Sequence, residues 1–465
     1  MSPISTAVDA QHLSQAESMV EGRAMRALTP RRDLAEYIPS ERDPVALLAE
    51  QNADRVPELV PLRMGRMLAS PFAFYRGTAG LMAADLARCA TSEIEVISCG
   101  DAHISNFGLF ASPQRNLVFD LNDFDEAGPA PFEWDVKRLV TSVIIGARDA
   151  GFGEPEVREA ATQAALNYRR VLTGMMRLTV LERYYFRADT DQIRAGLGRS
   201  GQRMLDRAAK QARKRTSEAF ADKVTETLPD GRLRIIENPP LLQHLDSERG
   251  GVVADLFAQY VQSVPADIAV LLAQFTLADV AMRVVGVGSV GTRCFVLLLT
   301  GPQGERLVLQ IKEAPPSVLE TWGGRDAHRL PTPARGPEFA DNEGFRVVAS
   351  QRILQAVSDS FLGYFRADNG RDFYVRQFRD RKGSIDIEGL SVGDFGTYAN
   401  GCAALLARAH AQSASAPAVV GYLGSGDNAD RAIVEWSFAY AEQSLADFTA
   451  LQAAVAAGRV EATAG

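Results

Sequence analysis

Residues 99–108 read Cys-Gly-Asp-Ala-His-Ile-Ser-Asn-Phe-Gly, and they follow an alternating, β-branched stretch at 93–98 that predicts a strand. In the resulting loop, Asp101 precedes Asn106 by five positions. Phosphoryl transfer needs a carboxylate that orients a hydroxyl group and accepts its proton, and an oxygen ligand for magnesium nearby. The loop therefore indicates that chemistry, although aspartate and asparagine also favour turns for structural reasons alone.

A second acidic stretch, Asp-Leu-Asn-Asp-Phe-Asp-Glu-Ala, occupies residues 120–127 and begins where another predicted strand, 117–121, ends. Magnesium usually takes one or two carboxylates and completes its coordination shell with phosphate oxygens and water. Three acids in six positions are more than packing requires, so this stretch is predicted to supply a second metal ligand. Asp120, Asp123 and Asp125 are the candidates.

Glycines recur in the segment Gly-Val-Gly-Ser-Val-Gly at 286–291, which has predicted strands on both sides. A dinucleotide-binding turn of this spacing would open a helix, so the flanking strands favour a hairpin whose backbone amides cover phosphate groups. We therefore predict that Gly286, Gly288, Ser289 and Gly291 bind a nucleotide. An ordinary hairpin turn is the alternative.

Lys312 closes an apolar predicted strand and follows Gly291 by 21 residues. A lysine that closes an apolar strand soon after a glycine-rich hairpin could reach the α- and β-phosphates of a bound nucleotide. A solvated lysine at a strand end is the competing explanation. We expect the acidic partner of Lys312 on the following predicted helix, 342–357, with Glu343 as the first choice. Glu338, just before that helix, is an alternative, as is replacement of the carboxylate by Gln351 or Gln355.

Together these segments resemble the protein-kinase-like superfamily, and in particular its aminoglycoside and choline phosphotransferase branch. The stretch GDAHISN resembles the HGDLHPGN loop of that branch, and NDFDEAGPAPFEWDVKRL resembles its IDFDDAGxGDPxxDLARL stretch. The resemblance implies ATP and Mg2+ as cofactors, with Asp101 as the catalytic base and Asn106 and Asp123 as metal ligands. It also implies that Asp135 braces the loop. Cys99 departs from the pattern, because it replaces the histidine that usually begins the loop.

The order of the segments also departs from that of kinases, because the glycine-rich stretch and its lysine follow the catalytic loop instead of preceding it. Circular permutation accounts for this order, since packed surfaces rather than chain ends determine a fold. The predicted fold is α+β: a two-lobed, circularly permuted protein-kinase-like fold with a small antiparallel β lobe and a large helical lobe. The predicted units are a polar N-terminal segment (1–45), the catalytic-loop part of the helical lobe with a helical insert (46–277), the β-rich nucleotide-binding lobe (278–385) and C-terminal helices (386–465).

Most of the chain, from about residue 45 to 450, also resembles an uncharacterised bacterial family, domain of unknown function 2252. The phrases SPFAFYRGTAG, CGDAHISNFG, YVRQFRDRKGS and LARAHAQSA carry this resemblance. Such a family adds little functional knowledge to the assignment.

The composition narrows the class of protein. The chain has 465 residues, 46% of them hydrophobic, and a formal net charge of -8, which disfavours nucleic-acid and membrane partners. Its four cysteines are scattered, so neither a disulfide framework nor a thiolate zinc site is expected. The first residues lack the pattern of a secretory signal, and no apolar stretch is long enough to span a bilayer. We expect a cytoplasmic enzyme with a small-molecule acceptor; its oligomeric state stays open.

Three alternatives to a phosphotransferase remain at this point. A metal-dependent phosphohydrolase would use Asp101, His103 and the acidic cluster at 120–125. A non-catalytic nucleotide sensor would keep the scaffold without turnover, and a nucleotidyl transferase would bind ATP in the reverse direction and transfer AMP. Two basic features also stay open between solvation or packing and contact with an anion, namely Arg76 among aromatic residues and the basic run at 210–215.

Overall fold

The computed structural model of this chain describes residues 13–244, 256–284, 290–329, 341–378 and 380–463. Its α-helices with two described ends are α1 Gln15–Ala24, α2 Pro44–Asn52, α3 Val60–Met67, α4 Pro71–Arg76, α5 Ala79–Leu86, α6 Phe132–Asp149, α7 Glu154–Met175, α8 Val180–Tyr185, α9 Thr190–Gly196, α10 Arg199–Arg213, α11 Ser217–Val224, α12 Ala266–Leu272, α13 Val318–Thr321, α14 Glu343–Leu354, α15 Val392–His410, α16 Ala416–Leu423 and α17 Asn428–Ala456. Its strands are β1 Glu95–Ser98, β2 Phe107–Ala111, β3 Leu117–Leu121, β4 Gly128–Pro131, β5 Thr225–Thr227, β6 Leu233–Ile235, β7 Leu242–His244, β8 Thr276–Arg283, β9 Cys294–Thr300, β10 Arg306–Glu313, β11 Gly363–Arg366, β12 Asp372–Gln377 and β13 Gly383–Ser384.

A six-stranded antiparallel sheet in the order β11-β12-β10-β9-β8-β7 forms the β-rich part of the molecule. Its central strands β9 and β10 are rich in leucine, valine and isoleucine, which suit a sheet that is covered on both faces. A turn at 301–304 joins these two strands, and Lys312 on β10 pairs with Cys294 on β9 and with Tyr374 on β12.

The two faces of this sheet bury different helices. Leu297 and Leu309 contribute to a core with the helix at 256–263 and α12, whereas Val296 and Val308 contribute to a core with α11 on the opposite face. This alternation follows from the two-residue period of a strand. It places Lys312, which has the same parity as Val308, on the face that carries α11.

The helical part is assembled from both halves of the chain. Helix α6 is buried along almost its whole length and packs against α7 and α17, while α7 packs against α15. The N-terminal segment also belongs to this part, because α1 packs against α16. The polar character of residues 15–24 therefore marks the outer face of a docked helix.

Most predicted elements agree with the structure, but several differ. The loop predicted between the strands at 93–98 and 117–121 contains strand β2, which pairs with β3. The sequence pattern at 202–222 predicts one helix, but the structure has two helices there, α10 and α11. Thr216 caps the second helix by accepting a hydrogen bond from the amide of Ala219. The insert at 154–277, predicted to be helical, also contains the short strands β5, β6 and β7. The sequence pattern also predicts a strand at 284–285, of which residue 285 lies outside the described residues; strand β8 begins at Thr276 and ends at Arg283.

The fold is thus a mixed α+β fold with antiparallel sheets, as the sequence predicted at the level of class. All four cysteines are buried free thiols, in agreement with their scattered positions. Within the described residues, every helix is too short or too polar to cross a membrane.

Candidate active site

A cleft of about 790 Å³ lies between the β10 face of the six-stranded sheet and the loop that carries Asp101. It brings together residues that are distant in sequence. Its lining includes Arg66, Arg76, Asp101, His103, Ser105, Asn106, Asn122, Asp123, Arg215, Arg283, Gln310, Lys312, Arg376, Gln377 and Lys382. The four residues predicted for metal binding, catalysis and phosphate binding outside the glycine-rich stretch, namely Asp101, Asn106, Asp123 and Lys312, all reach this one cleft.

The hairpin of β2 and β3 places the two predicted metal ligands side by side. Phe107 pairs with Leu121, and the amide of Asn122 donates a hydrogen bond of 3.0 Å to the carbonyl of Asn106, so the pairing extends one step beyond the strands. Asn106 and Asp123 therefore lie at the open end of the same hairpin. Their separation of 17 positions is the length of the hairpin.

Asp101 is held by a buried arginine. Arg138 Nε on α6 donates a hydrogen bond of 2.8 Å to Asp101 Oδ1, and Asn106 Nδ2 donates one of 2.7 Å to the Asp101 carbonyl. The side chain of Asp101 keeps 18% of its surface exposed to the cleft. Burial raises the pKa of Asp101 to about 6, against the opposing effect of Arg138. The carboxylate is therefore ionised near neutral pH, yet more basic than a free aspartate.

Asp135 braces the loop that carries Asp101, as the resemblance predicted. The Asp135 carboxylate accepts hydrogen bonds from the amides of Cys99 (2.6 Å) and Gly100 (3.0 Å), and His410 Nε2 lies 3.0 Å from it. Tyr168 holds the other nitrogen of His410 at 2.8 Å. A histidine from α15 thus participates in bracing this loop, in which Cys99 replaces the expected histidine. The spacing gave no signal for this contact, since 275 positions separate His410 from Asp135.

Gly100 is required by the same loop. Its φ is +74°, and a Cβ atom there would overlap the carbonyl of Glu126. A side chain at this position would push the loop off the 122–126 stretch and separate Asp101 from Asp123.

Lys312 makes its close contact with Asp125. Its Nζ lies 2.5 Å from Asp125 Oδ2 and 4.0 Å from Asp123 Oδ1, and Tyr374 donates a hydrogen bond of 2.6 Å to the other oxygen of Asp125. Burial opposes ionisation of Asp125, but the Lys312 charge outweighs it and lowers the pKa of Asp125 to about 2. Both groups are therefore charged at neutral pH.

The expected pairing of Lys312 with Glu343 is absent from the structure. Glu343 instead accepts a hydrogen bond of 2.5 Å from Arg346 and lies 3.0 Å from His328 Nε2. Arg346 is fully buried and also donates hydrogen bonds to the carbonyls of Ala127 and Asp125. Glu343 is therefore paired with Arg346 and His328 rather than with Lys312. Glu338 lies outside the described residues.

The glycine-rich stretch is described only at its C-terminal end, because Gly286, Gly288 and Ser289 lie outside the described residues. Gly291 has a φ of +87°. Its carbonyl accepts a hydrogen bond of 2.8 Å from the amide of Val56, and Arg55 donates to the carbonyl of Val290. The end of this stretch is thus fixed against the segment that precedes α3.

Magnesium fits the residues at the end of the β2–β3 hairpin. Asp123 Oδ1 is buried and accepts no hydrogen bond from the described residues. Asn106 uses its amide nitrogen on the Asp101 carbonyl, which leaves its side-chain oxygen as a ligand. One carboxylate and one amide oxygen make a donor set that Mg2+ accepts, with the remaining positions taken by phosphate and water.

Comparison with protein families identifies the chain. The model of a family of uncharacterised proteins conserved in bacteria, DUF2252, matches residues 55–454. The chain belongs to the DUF2252 family. Searches of curated proteins and of solved structures each gave no match.

Four basic residues of the cleft in this DUF2252 chain were missed by sequence reasoning: Arg66, Arg283, Arg376 and Lys382. Arg376 lies opposite Gln310 in the sheet, and its Nε donates a hydrogen bond of 3.0 Å to Gln310 Oε1. The sequence signal for this basic face was that Gln310 and Lys312 stand two positions apart in the otherwise apolar strand β10. Polar residues at alternate positions of a strand indicate a face that apolar side chains do not cover.

Proposed function

We propose that this DUF2252 chain is an ATP- and magnesium-dependent phosphotransferase with a circularly permuted, two-lobed protein-kinase-like fold, and that it transfers the γ-phosphoryl group to a hydroxyl group of a small molecule. One observation carries the proposal. Lys312 Nζ lies 4.0 Å from Asp123 Oδ1, in a cleft that Asp101 and Asn106 also line. Residues from two remote parts of the sequence thus converge on the groups that phosphoryl transfer requires.

The strand topology supports the same proposal. In protein kinases the phosphate-binding lysine lies on the third strand, after the two strands that flank the glycine-rich loop, and a helix follows. Here β8 and β9 flank the glycine-rich stretch, β10 carries Lys312, and α14 follows. The three strands are neighbours in the order β8-β9-β10. The catalytic loop precedes this unit in the chain, which is the order that a circular permutation produces.

Each residue then has a distinct task. Lys312 binds phosphate oxygens, Asn106 and Asp123 hold magnesium, and Asp101 orients the acceptor hydroxyl. The bond between the γ-phosphorus and the oxygen that bridges to the β-phosphate breaks, a bond to the acceptor oxygen forms, the hydroxyl proton passes to Asp101, and ADP leaves. Magnesium, when bound, supplies charge neutralisation on the phosphates. Positioning and electrostatics account for most of the rate, because the reaction needs little covalent assistance.

Thermal unfolding with ATP and magnesium tests the nucleotide site. At about 100 times its dissociation constant, a ligand of the folded state raises the free energy of unfolding by about 2.7 kcal/mol. We expect this stabilisation in the wild type and its loss in Asp123→Asn and Lys312→Ala, because these changes remove a metal ligand and a phosphate-binding charge. Asp149→Asn, at the exposed end of α6, is the matched control. Stabilisation by a divalent metal alone, with none from ATP, would favour a phosphohydrolase.

The pH dependence of ATP turnover tests the role of Asp101. A carboxylate acts as a base only when it is ionised, and burial raises the pKa of Asp101 to about 6. We expect turnover to be constant above that pKa and to fall about tenfold per pH unit below it. A rate that stays constant through this range would show that Asp101 is not the base.

One observation favours a second candidate, a nucleotide-binding protein without transfer. Lys312 is neutralised by Asp125 and lacks the glutamate partner that active protein kinases use. Binding of ATP with magnesium, followed by no release of ADP even at high enzyme concentration, would support this candidate. Release of ADP that requires Asp101 would exclude it.

A further inference from the structure

Arg76 is a basic residue that lines the cleft together with the proposed catalytic base and has no assigned role. It ends α4, directly after the buried aromatic residues Phe74 and Tyr75. Its side chain lines the main cleft and also the smaller adjoining cavity, which shares Asp101 with the cleft. Its Nε is buried, and no group of the described residues accepts a hydrogen bond from it. A partly buried guanidinium whose Nε lacks an acceptor is suited to binding an anion.

The charge of the whole cleft points in the same direction. Among the described residues, seven basic side chains line it, against the two carboxylates Asp101 and Asp123, and one of the seven, Lys312, is paired with Asp125. Asp101 is already paired with Arg138, which lies behind it. A magnesium-bound nucleoside triphosphate brings about two net negative charges. The lining of the cleft is thus more basic than acidic, which suits anionic ligands.

The basic residues belong to two groups. Arg76 interacts electrostatically with Asp101 and His103, on the side of the catalytic loop, and also with Asp123. Lys382 interacts with Arg376 and Lys312, on the side of the sheet. The second group surrounds the phosphate-binding lysine and so belongs to the nucleotide. The first group lies where the acceptor hydroxyl must approach Asp101.

We propose that the acceptor is a small molecule that already carries a phosphate group, and that Arg76 binds this group beside Asp101. This inference rests on the proposed function. The acceptor then leaves with a second phosphoryl group, and ADP is the other product. The planar fork of arginine matches two phosphate oxygens at once, which fixes the orientation of the acceptor as well as its affinity. Cationic acceptors such as aminoglycosides or choline are disfavoured, since the cleft would repel them.

Calorimetric titration of inorganic phosphate into the full chain, saturated with magnesium and the non-hydrolysable analogue AMP-PNP, tests the inference. Inorganic phosphate is the probe because it is the group that all such acceptors share. We expect it to bind the nucleotide complex, and its Kd to rise about tenfold or more in Arg76→Gln through the loss of a charged hydrogen bond. Arg76→Lys keeps the charge and is expected to weaken binding less. Arg199→Gln, on the exposed start of α10, is the matched control.

The affinity for AMP-PNP shows whether Arg76 binds the phosphate group of the acceptor or a phosphate of the nucleotide. We expect the Kd of AMP-PNP to change less than about threefold in both Arg76 variants. If Arg76 instead bound a phosphate of the nucleotide, its replacement would weaken AMP-PNP binding by more than this. Absence of phosphate binding to the saturated wild type, or equal weakening of AMP-PNP in Arg76→Gln, would overturn the inference and assign Arg76 to the nucleotide. Failure of AMP-PNP to bind the wild type would instead overturn the proposed function. Should Arg76→Gln not fold, the comparison of Arg76→Lys with the wild type decides the same question.

Discussion

Replacing Asp101 with asparagine is expected to lower the rate of ATP turnover by about 10²–10⁴-fold, the range that a general base contributes. The amide has nearly the shape of the carboxylate, so the hydrogen bond from Arg138 to the remaining oxygen can persist. The amide cannot accept the proton of the acceptor hydroxyl. Steady-state release of ADP, with water as the default acceptor, measures the effect.

Binding distinguishes this loss from a structural defect. We expect Asp101→Asn to retain the affinity for AMP-PNP and magnesium, because Lys312, Asn106 and Asp123 remain in place. Asp149→Asn, an exposed position of α6, controls for the change of charge. Undiminished turnover in Asp101→Asn would exclude this residue as the base and, with it, the proposed arrangement of the cleft.

Replacing Asp135 with alanine is expected to lower the free energy of unfolding by about 3–5 kcal/mol. The side chain is 1% exposed and accepts hydrogen bonds from the amides of Cys99 and Gly100. Its removal leaves these two donors and His410 without their acceptor in a site that water does not reach. Urea denaturation followed by circular dichroism measures the change.

Asp149→Ala provides the comparison on the same helix. Asp149 is exposed at the end of α6, and exposed substitutions away from special features change stability by about 0.5 kcal/mol or less. Equal stability of the Asp135 and Asp149 variants would contradict the bracing role. A destabilised Asp135 variant that also loses ATP turnover would show that the brace serves the geometry of the catalytic loop.

Local patterns predicted much of this fold. Apolar residues that recur at the period of the element predict helices at 133–150, 154–176 and 429–457 and strands at 117–121, 294–299 and 306–311. These bounds lie close to those of α6, α7, α17, β3, β9 and β10. Element breaks were harder to predict. Helices α10 and α11 read as one helix, since the capping role of Thr216 depends on where its side chain points.

The site was predictable where one loop carries the chemistry. Asn106 and Asp123 come together because of a short hairpin, of which the sequence predicted strand β3 but not strand β2. The partner of Lys312 was not predictable in this way, since Asp125 lies 187 positions away. Contacts of that kind depend on the position of the sheet relative to the loop. The periodicity of the sequence does not indicate that position.

The assembly of the helical part from both halves of the chain has a consequence for synthesis on the ribosome. Strands β8 to β12 emerge within one continuous stretch, so the central sheet has all its partners soon after residue 377 leaves the exit tunnel. Helices α6 and α7 emerge much earlier, but they pack against α15 and α17 near the other end of the chain. Their apolar surfaces therefore stay open to chaperones until α15 and α17 have also been synthesised.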